Sequence, residues 1–124
     1  MSLDELINKI KNCSRFSEVG MIACHLGIVR GYSRNGEPVK RIKIQVNQKI
    51  VKEIISEIKN LPGILEVLVE VKEGIFTVGE PIMAVAVAGD FREHVFPALE
   101  KLINSIKTKA VKKQEEIKGG KDGQ

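Results

Sequence analysis

Three cations stand where apolar segments of this 124-residue chain end. Arg30 closes the run Met21 to Val29, Arg92 follows the run Ile82 to Ala88, and Lys107 comes about four turns further along a helical stretch. Arginine grips tetrahedral or planar oxyanions with a fork of donors, and lysine adds a point charge on a flexible stem. Such a set can frame one anion-binding pocket, and we expect the three to converge on one cleft, with one of them supplied across a dimer interface if need be. Each also has a plainer reading: the arginines as strand-end residues that lift their charge into water, and Lys107 as a helix-end lysine answering the macrodipole.

Other chemistries have weaker support. The glycines form neither a phosphate-cradling loop nor a dinucleotide fingerprint. His25, His94, Cys13 and Cys24 do not make a zinc set, so no metal and no cofactor is expected. Ser14, Ser33 and Ser105 lack an elbow motif. Glu66, Glu70 and Glu73 read as the wet face of a strand rather than as an acid pair.

Length and composition bound the elements that must position these side chains. The chain has the size of one domain, with 43% apolar residues and no tryptophan, so its core must rest on Ile, Val, Leu and Ala. Two cysteines and an opening Met-Ser-Leu-Asp suggest a reducing cytoplasm. No apolar run approaches the roughly eighteen residues of a membrane span. The net charge of +4 is concentrated around Lys40 to Lys43 and in the last quarter, a pattern that attracts nucleic acid, an acidic partner or a phosphorylated small molecule. Nucleic acid is the weakest of these, because aromatic platforms for stacking bases are missing.

Along the chain, Ser2 to Glu5 has capping-box spacing and opens a short amphipathic helix. Val19 to Val29 reads as a buried strand; a loop with Asn35-Gly36 follows, and Ile42, Ile44 and Val46 alternate with polar residues. Together these predict a hairpin with a long loop. A helix then runs from Asn47 to Leu61-Pro62-Gly63, and a strand follows in which Leu65, Val67, Val69 and Val71 face inward. After a turn at Gly74 come a short Ile75 to Val78 piece and the Ile82 to Ala88 strand, apolar on both faces and so a candidate for cover by a second subunit. Asp90 and Glu93 mark another helix start, with Pro97 implying a kink or a start nearer Pro97. Residues 1–110 are expected to form one domain and 111–124 a polar, flexible tail. The order gives an α+β sandwich with an antiparallel or mixed sheet and about three helices, of ferredoxin-like or ACT-like kind.

The succession of Gly27-Ile28-Val29-Arg30, a polar loop, an Ile-rich helix, Gly74, Val78-Gly79-Glu80, Arg92 and Lys107-Thr108-Lys109-Ala110 resembles the large, catalytic subunit of molybdopterin synthase over roughly residues 18 to 116. The resemblance implies an α/β-hammerhead fold and a homodimer within a heterotetramer. It also implies sulfur transfer to a cyclic pyranopterin monophosphate from the thiocarboxylated Gly-Gly tail of a small ubiquitin-like subunit. By that likeness Arg30 and Arg92 belong to the substrate and tail pocket. Lys107 is the active-site lysine, acting as acid, electrostatic stabiliser or transient nucleophile. His25 stands beside the pocket, where the family has an aromatic residue. The chain departs from the pattern twice. The family's His-Arg pair reads Phe91-Arg92, and its second lysine aligns with Gln114, or with Lys113 if one residue is deleted. A non-catalytic dimeric module that binds a ubiquitin-like tail or a small anion is the alternative.

Overall fold

The computed structural model describes residues 2–119. Its elements in chain order are α1 (Leu3–Lys11), β1 (Met21–Ile28), β2 (Val39–Val46), α2 (Gln48–Lys59), β3 (Ile64–Val71), β4 (Gly74–Thr77), β5 (Pro81–Gly89), α3 (Arg92–Ser105), a π-helical turn (Ile106–Ala110) and β6 (Val111–Ile117). The strands form two three-stranded sheets of order β1-β5-β3 and β4-β2-β6, antiparallel at every pairing. Three helices and two antiparallel sheets make an α+β fold, as the sequence pattern predicts.

β5 forms the middle of the first sheet. Met83, Val85 and Val87 pack into one cluster with Val51, Ile54 and Ile58 of α2 and Val95, Ala98 and Leu102 of α3. Ala84, Ala86 and Ala88 alternate onto the other face, where Leu6 and Ile10 of α1 lie on them. The small side chains let α1 approach closely, and both faces of the strand are covered within one protomer. The apolar character of this strand therefore gives no reason to invoke a second subunit.

The expected hairpin does not form. β1 pairs with β5, whereas β2 pairs with β4 and β6, and only the Tyr32–Pro38 bridge joins the ends of the connecting loop. The physical reason is burial. β1 is apolar along most of its length and suits a sheet covered on both sides, while β2 buries Ile42 and Ile44 but sends Lys43 and Gln45 to solvent. The inward residues of β3 also differ by one at its start. A bulge between Ile64 and Glu66 leaves Leu65 half-buried and sends Ile64 into the core.

Residues 111–117 are a strand rather than a tail. β6 pairs with β2 from Val46↔Val111 to Val39↔Ile117, held by backbone hydrogen bonds and by Glu116, which meets Arg41 at 3.0 Å. It is an edge strand, and its charged side chains guard the open edge against further pairing. The frayed end expected from Lys118 onward begins with a turn at Lys118 and Gly119, and residues 120–124 lie outside the described residues.

α3 starts at Arg92, not near Pro97, with Phe91 as its N-cap. Pro97 sits inside the helix on an exposed face, where the Glu93 carbonyl left without a donor can reach water. The start is fixed by Asp90, whose carboxylate accepts from Phe91 N at 2.6 Å and pairs with His94 Nδ1 at 2.7 Å. Gly63 closes this corner. Its φ of +78° is left-handed, and a Cβ there would run into His94 and Asp90. Gly63→Ala should therefore lower the urea-derived unfolding free energy by about 2 kcal/mol, combining backbone strain with overpacking. A loss under about 0.5 kcal/mol, the size of an ordinary surface substitution, would contradict this account.

Candidate functional site

The π-helical turn brings Lys107 to the seam between the two sheets. It links α3 to β6, and Asn47 N donates to Ala110 O at 2.8 Å, tying the turn to the start of α2. Single π-helical turns inside or at the end of α-helices occur often at functional positions. Here the turn places Ile106 and Ala110 in the core and leaves Lys107 exposed at the mouth of a cleft.

This inner cleft, of about 320 Å³, is walled by Ile28, Ile44, Val71, Ile82, Met83 and Val111. Its charged lining consists of Arg34, Lys107 and Lys113, with no carboxylate. Lys113 reaches it by strand register. It stands opposite Ile44 on β6, and alternation puts Gln114, opposite Lys43, on the other face. Of the two residues left open in the sequence, Lys113 lines the cleft and Gln114 does not.

Arg30 lines an adjoining outer cleft of about 380 Å³, with Ser33, Arg34, Asn35, Glu37, Lys113, Glu115 and Ile117. Arg34 and Lys113 are common to both clefts. Arg30 Nε donates to Tyr32 O at 2.6 Å, which holds the guanidinium at the base of the loop.

Arg92 is not brought to these clefts within one protomer. It lies at the first turn of α3 beside Gly20, Met21, Phe91 and Phe96, with Nε 3.2 Å from Glu93 Oε1. Fifteen residues of helical rise separate it from Lys107, about 22 Å along the axis. Its neighbours Phe91 and Phe96 are exposed, at 63% and 55%. Within one protomer the three cations are divided: Lys107 lines the inner cleft, Arg30 the outer and Arg92 neither.

His25 is half-buried on β1, and its Nε2 is enclosed without a hydrogen-bond partner. A Cβ placed on Gly27, which lines the inner cleft, would stand 3.5 Å from that nitrogen. Burial and, secondarily, the positive charge of Lys107 push the His25 pKa down, which favours the neutral ring. Asp90 is pushed the other way from neutrality. Its hydrogen bond to His94 comes first, and its carboxylate pKa is lowered.

Sequence reasoning missed Arg34 and the Asp90–His94 pair. The signals were present: Asn35-Gly36 marks the turn that carries Arg34, and Asp90 and His94 are four residues apart at a helix start. Among the described residues no group of three or more His, Cys, Asp and Glu side chains could hold a metal ion. No helix among them is long and apolar enough to cross a membrane.

A two-sheet α+β domain with a cationic, apolar-walled cleft is the frame in which relatives can be compared. Residues 1–109 match the family described as MoaE protein, and the chain belongs to that family. An uncharacterised protein of Methanocaldococcus jannaschii is 31% identical over 109 residues, 85% of this chain and 87% of the relative. Molybdopterin synthase from Staphylococcus aureus superposes with a TM-score of 0.79 at 19% identity, over 97% of this chain and 88% of that one. The molybdopterin biosynthesis MoaE protein from Burkholderia ambifaria gives 0.74 at 20% identity, over 98% and 86%. A chain of the complex of subunits 1 and 2 of molybdopterin-converting factor from Helicobacter pylori gives 0.70 at 17%, over 97% and 82%. At these identities the solved structures establish the shared fold.

The enclosure of the His25 Nε2 has a measurable consequence. Because its folded pKa lies below the unfolded value of about 6.5, protonation favours the unfolded chain. Its contribution is present above that value and is lost as pH falls through the depressed folded pKa. The unfolding free energy of the wild type relative to His25→Phe should therefore decline between pH 7.5 and 5. A difference that stays constant over that range would show that His25 is not desolvated in the fold.

Proposed function

We propose that this protein is a molybdopterin synthase catalytic subunit. In this reading it moves sulfur from the thiocarboxylated Gly-Gly tail of a small ubiquitin-like subunit to a cyclic pyranopterin monophosphate. The observation that carries the proposal is the pairing of Lys107 and Lys113 in one apolar-walled cleft, in a chain of the MoaE family. A cleft of about 320 Å³ suits a small heterocycle, and its lining supplies positive charge with no competing carboxylate.

The thiocarboxylate sulfur displaces an oxygen substituent on the pterin, which leaves negative charge on the departing oxygen. Water then cleaves the acyl–sulfur bond to leave the thiolate on the pterin and a carboxylate on the tail. An ammonium beside the departing oxygen stabilises the transition state and can supply the proton. Lys107 and Lys113 take these roles, Arg30 guides anionic groups at the outer cleft, and the neutral His25 ring offers a partner to a polar group of the substrate. Arg92, at the far end of α3 and flanked by exposed Phe91 and Phe96, completes the pocket of a second protomer in a homodimer. The free thiols of Cys13 and Cys24 suit a reducing cytoplasm.

Conversion of the precursor to dithiolene product by purified protein and thiocarboxylated small subunit tests the proposal. Lys107→Ala and Lys113→Ala should each lose about a hundredfold or more in rate, the size expected for a charged donor acting in the transition state. Gln114→Ala, on the opposite face of β6, should stay within about threefold, well short of such a donor's loss. Equal losses at Lys113 and Gln114 would refute the register argument.

The dimer is tested by mixing. Arg92→Ala and Lys107→Ala proteins, each inactive alone, should regain activity when unfolded and refolded together, because one of the two sites in a mixed dimer is intact. No recovery, with mixed dimers demonstrated by mass spectrometry, would place Arg92 outside the site.

The replacement of histidine by Phe91 favours a second reading, a non-catalytic module that binds a Gly-Gly tail. Tail binding without product from the wild type would select it.

A further inference from the structure

Arg34 is carried by a turn built from the backbone outward. Gly36 N donates to Ser33 O at 2.9 Å, Glu37 N to Ser33 Oγ at 3.1 Å, and Ser33 N to Glu37 O at 2.8 Å. Gly36 takes a φ of +82°, which a glycine adopts without strain. Below the turn, Val39 N donates to Gly31 O at 2.8 Å, and the Tyr32–Pro38 bridge closes the loop. The loop is long, but its tip is a hydrogen-bonded unit rather than a loose strap.

The other arginines are engaged. Arg30 donates to Tyr32 O, Arg41 meets Glu116, Arg92 meets Glu93 and Arg15 meets Glu18. Arg34 makes no hydrogen bond or ion pair with any of the described residues. It lines both the inner, apolar-walled cleft and the outer, polar one, and so stands at their junction together with Lys113. A ligand with a flat ring whose faces pack on apolar side chains and with one anionic end matches this division. Its ring would face the apolar walls that include Ile44 and Ile82, and its anionic group would lie near Arg34 and Lys113, which line both clefts.

We propose that Arg34, seconded by Lys113, is the clamp for the phosphate group of the substrate and sets the preference for a phosphorylated over an unphosphorylated ring. The proposal rests on the reading of the protein as a molybdopterin synthase catalytic subunit and adds to it a binding residue on the loop between β1 and β2. The guanidinium fork can take two phosphate oxygens at once, whereas a lysine at the same place offers one point of charge. Arg34 acts as a binding residue and not as an acid or base, so its removal weakens ground and transition states alike.

The experiment compares wild type, Arg34→Ala and Arg34→Lys, all first shown to be folded by circular dichroism. Two measurements are made. The first is steady-state kinetics with the pyranopterin monophosphate and thiocarboxylated small subunit. The second is titration with inorganic phosphate, followed through the arginine Nε–H resonances in 15N-labelled protein. Arg34→Ala should raise KM about tenfold or more with kcat within about threefold, the loss expected for hydrogen bonds to a charged group. Arg34→Lys should recover only part of it. Phosphate should shift the Arg34 resonance in the wild type, and Arg34→Ala should weaken phosphate binding by a similar factor. If product forms but Arg34→Ala leaves both KM and phosphate affinity within twofold, the clamp is refuted and the catalytic reading stands. If the wild type forms no product while phosphate still shifts the Arg34 resonance, the catalytic reading fails and the anion clamp stands. A fall in kcat with KM unchanged would also refute the clamp, because it would assign Arg34 to the chemical step.

Discussion

Enclosure of β5 on both faces is the constraint from which the rest of the molecule hangs. From Ala84 to Ala88 the strand has no exposed surface, with valines turned toward α2 and α3 and alanines toward α1. Burying a valine-sized side chain contributes about 1.5–3 kcal/mol, so this short alternating run anchors much of the core. It also fixes directions. Strands β1 and β3 must flank β5, and α3 must start just beyond its end at Gly89, where a Cβ would meet Val95 at 2.6 Å. The path of α3 then decides where the π-helical turn emerges. Lys107 reaches the seam between the sheets because the helix before it has no freedom to end elsewhere.

The seam is a place where charge has been gathered at a cost. Arg34, Lys107 and Lys113 line one cleft without a carboxylate among its lining residues, and Lys113 has only a loose partner in Glu115 at 3.9 Å. Like charges near a protein surface repel, and the apolar walls of Ile28, Ile44, Ile82 and Val111 weaken the solvent screening that would mute the effect. The arrangement persists because the side chains are exposed and their stems can spread apart. In the reading proposed above, an incoming anion would remove the repulsion and gain three donors. The charge of Lys107 also disfavours a proton on His25, adding to the partial desolvation that lowers the pKa of its half-buried ring.

Much of this was legible in the sequence, and the omissions have physical causes. Helices α1 and α2 and strands β3 and β5 announce themselves through apolar periodicity, because each buries one face or both. Strand pairing was harder. The closeness of β1 and β2 in the chain argues for a hairpin, but the two strands need different environments, and burial on two faces overrides proximity. β6 carries no apolar alternation because its stability lies in backbone pairing with β2, which composition cannot reveal. Arg30, Lys107 and His25, named from the sequence, lie at or beside the paired clefts. Arg92, also named from the sequence, lies in one protomer at the other end of α3, a separation that residue types do not encode. Arg34 was passed over because an exposed arginine beside Asn-Gly looks like any turn residue until the fold shows which cleft the turn overhangs.

The side of the sheet on which Lys113 stands depends on a register that is set where β6 begins, while at its far end Glu116 meets Arg41 and Lys118 N donates to Pro38 O. Val111 follows directly on Ala110, whose carbonyl is held by Asn47 N, and pairs with Val46. From there the ladder runs unbroken through Ile44↔Lys113 to Arg41↔Glu116, and its irregularity falls between Val39 and Arg41, at the far end. The bulge thus absorbs any mismatch between the strands away from the cleft. A slip of one residue in β6 would exchange Lys113 for Gln114 and replace a cation by an amide. An edge strand with a polar sequence has little burial to resist such a slip. What resists it at the cleft is the join at Ala110–Val111, where the π-helical turn that presents Lys107 becomes the strand that presents Lys113. The two lysines are therefore placed by one covalent corner, and a change in that corner would displace both together.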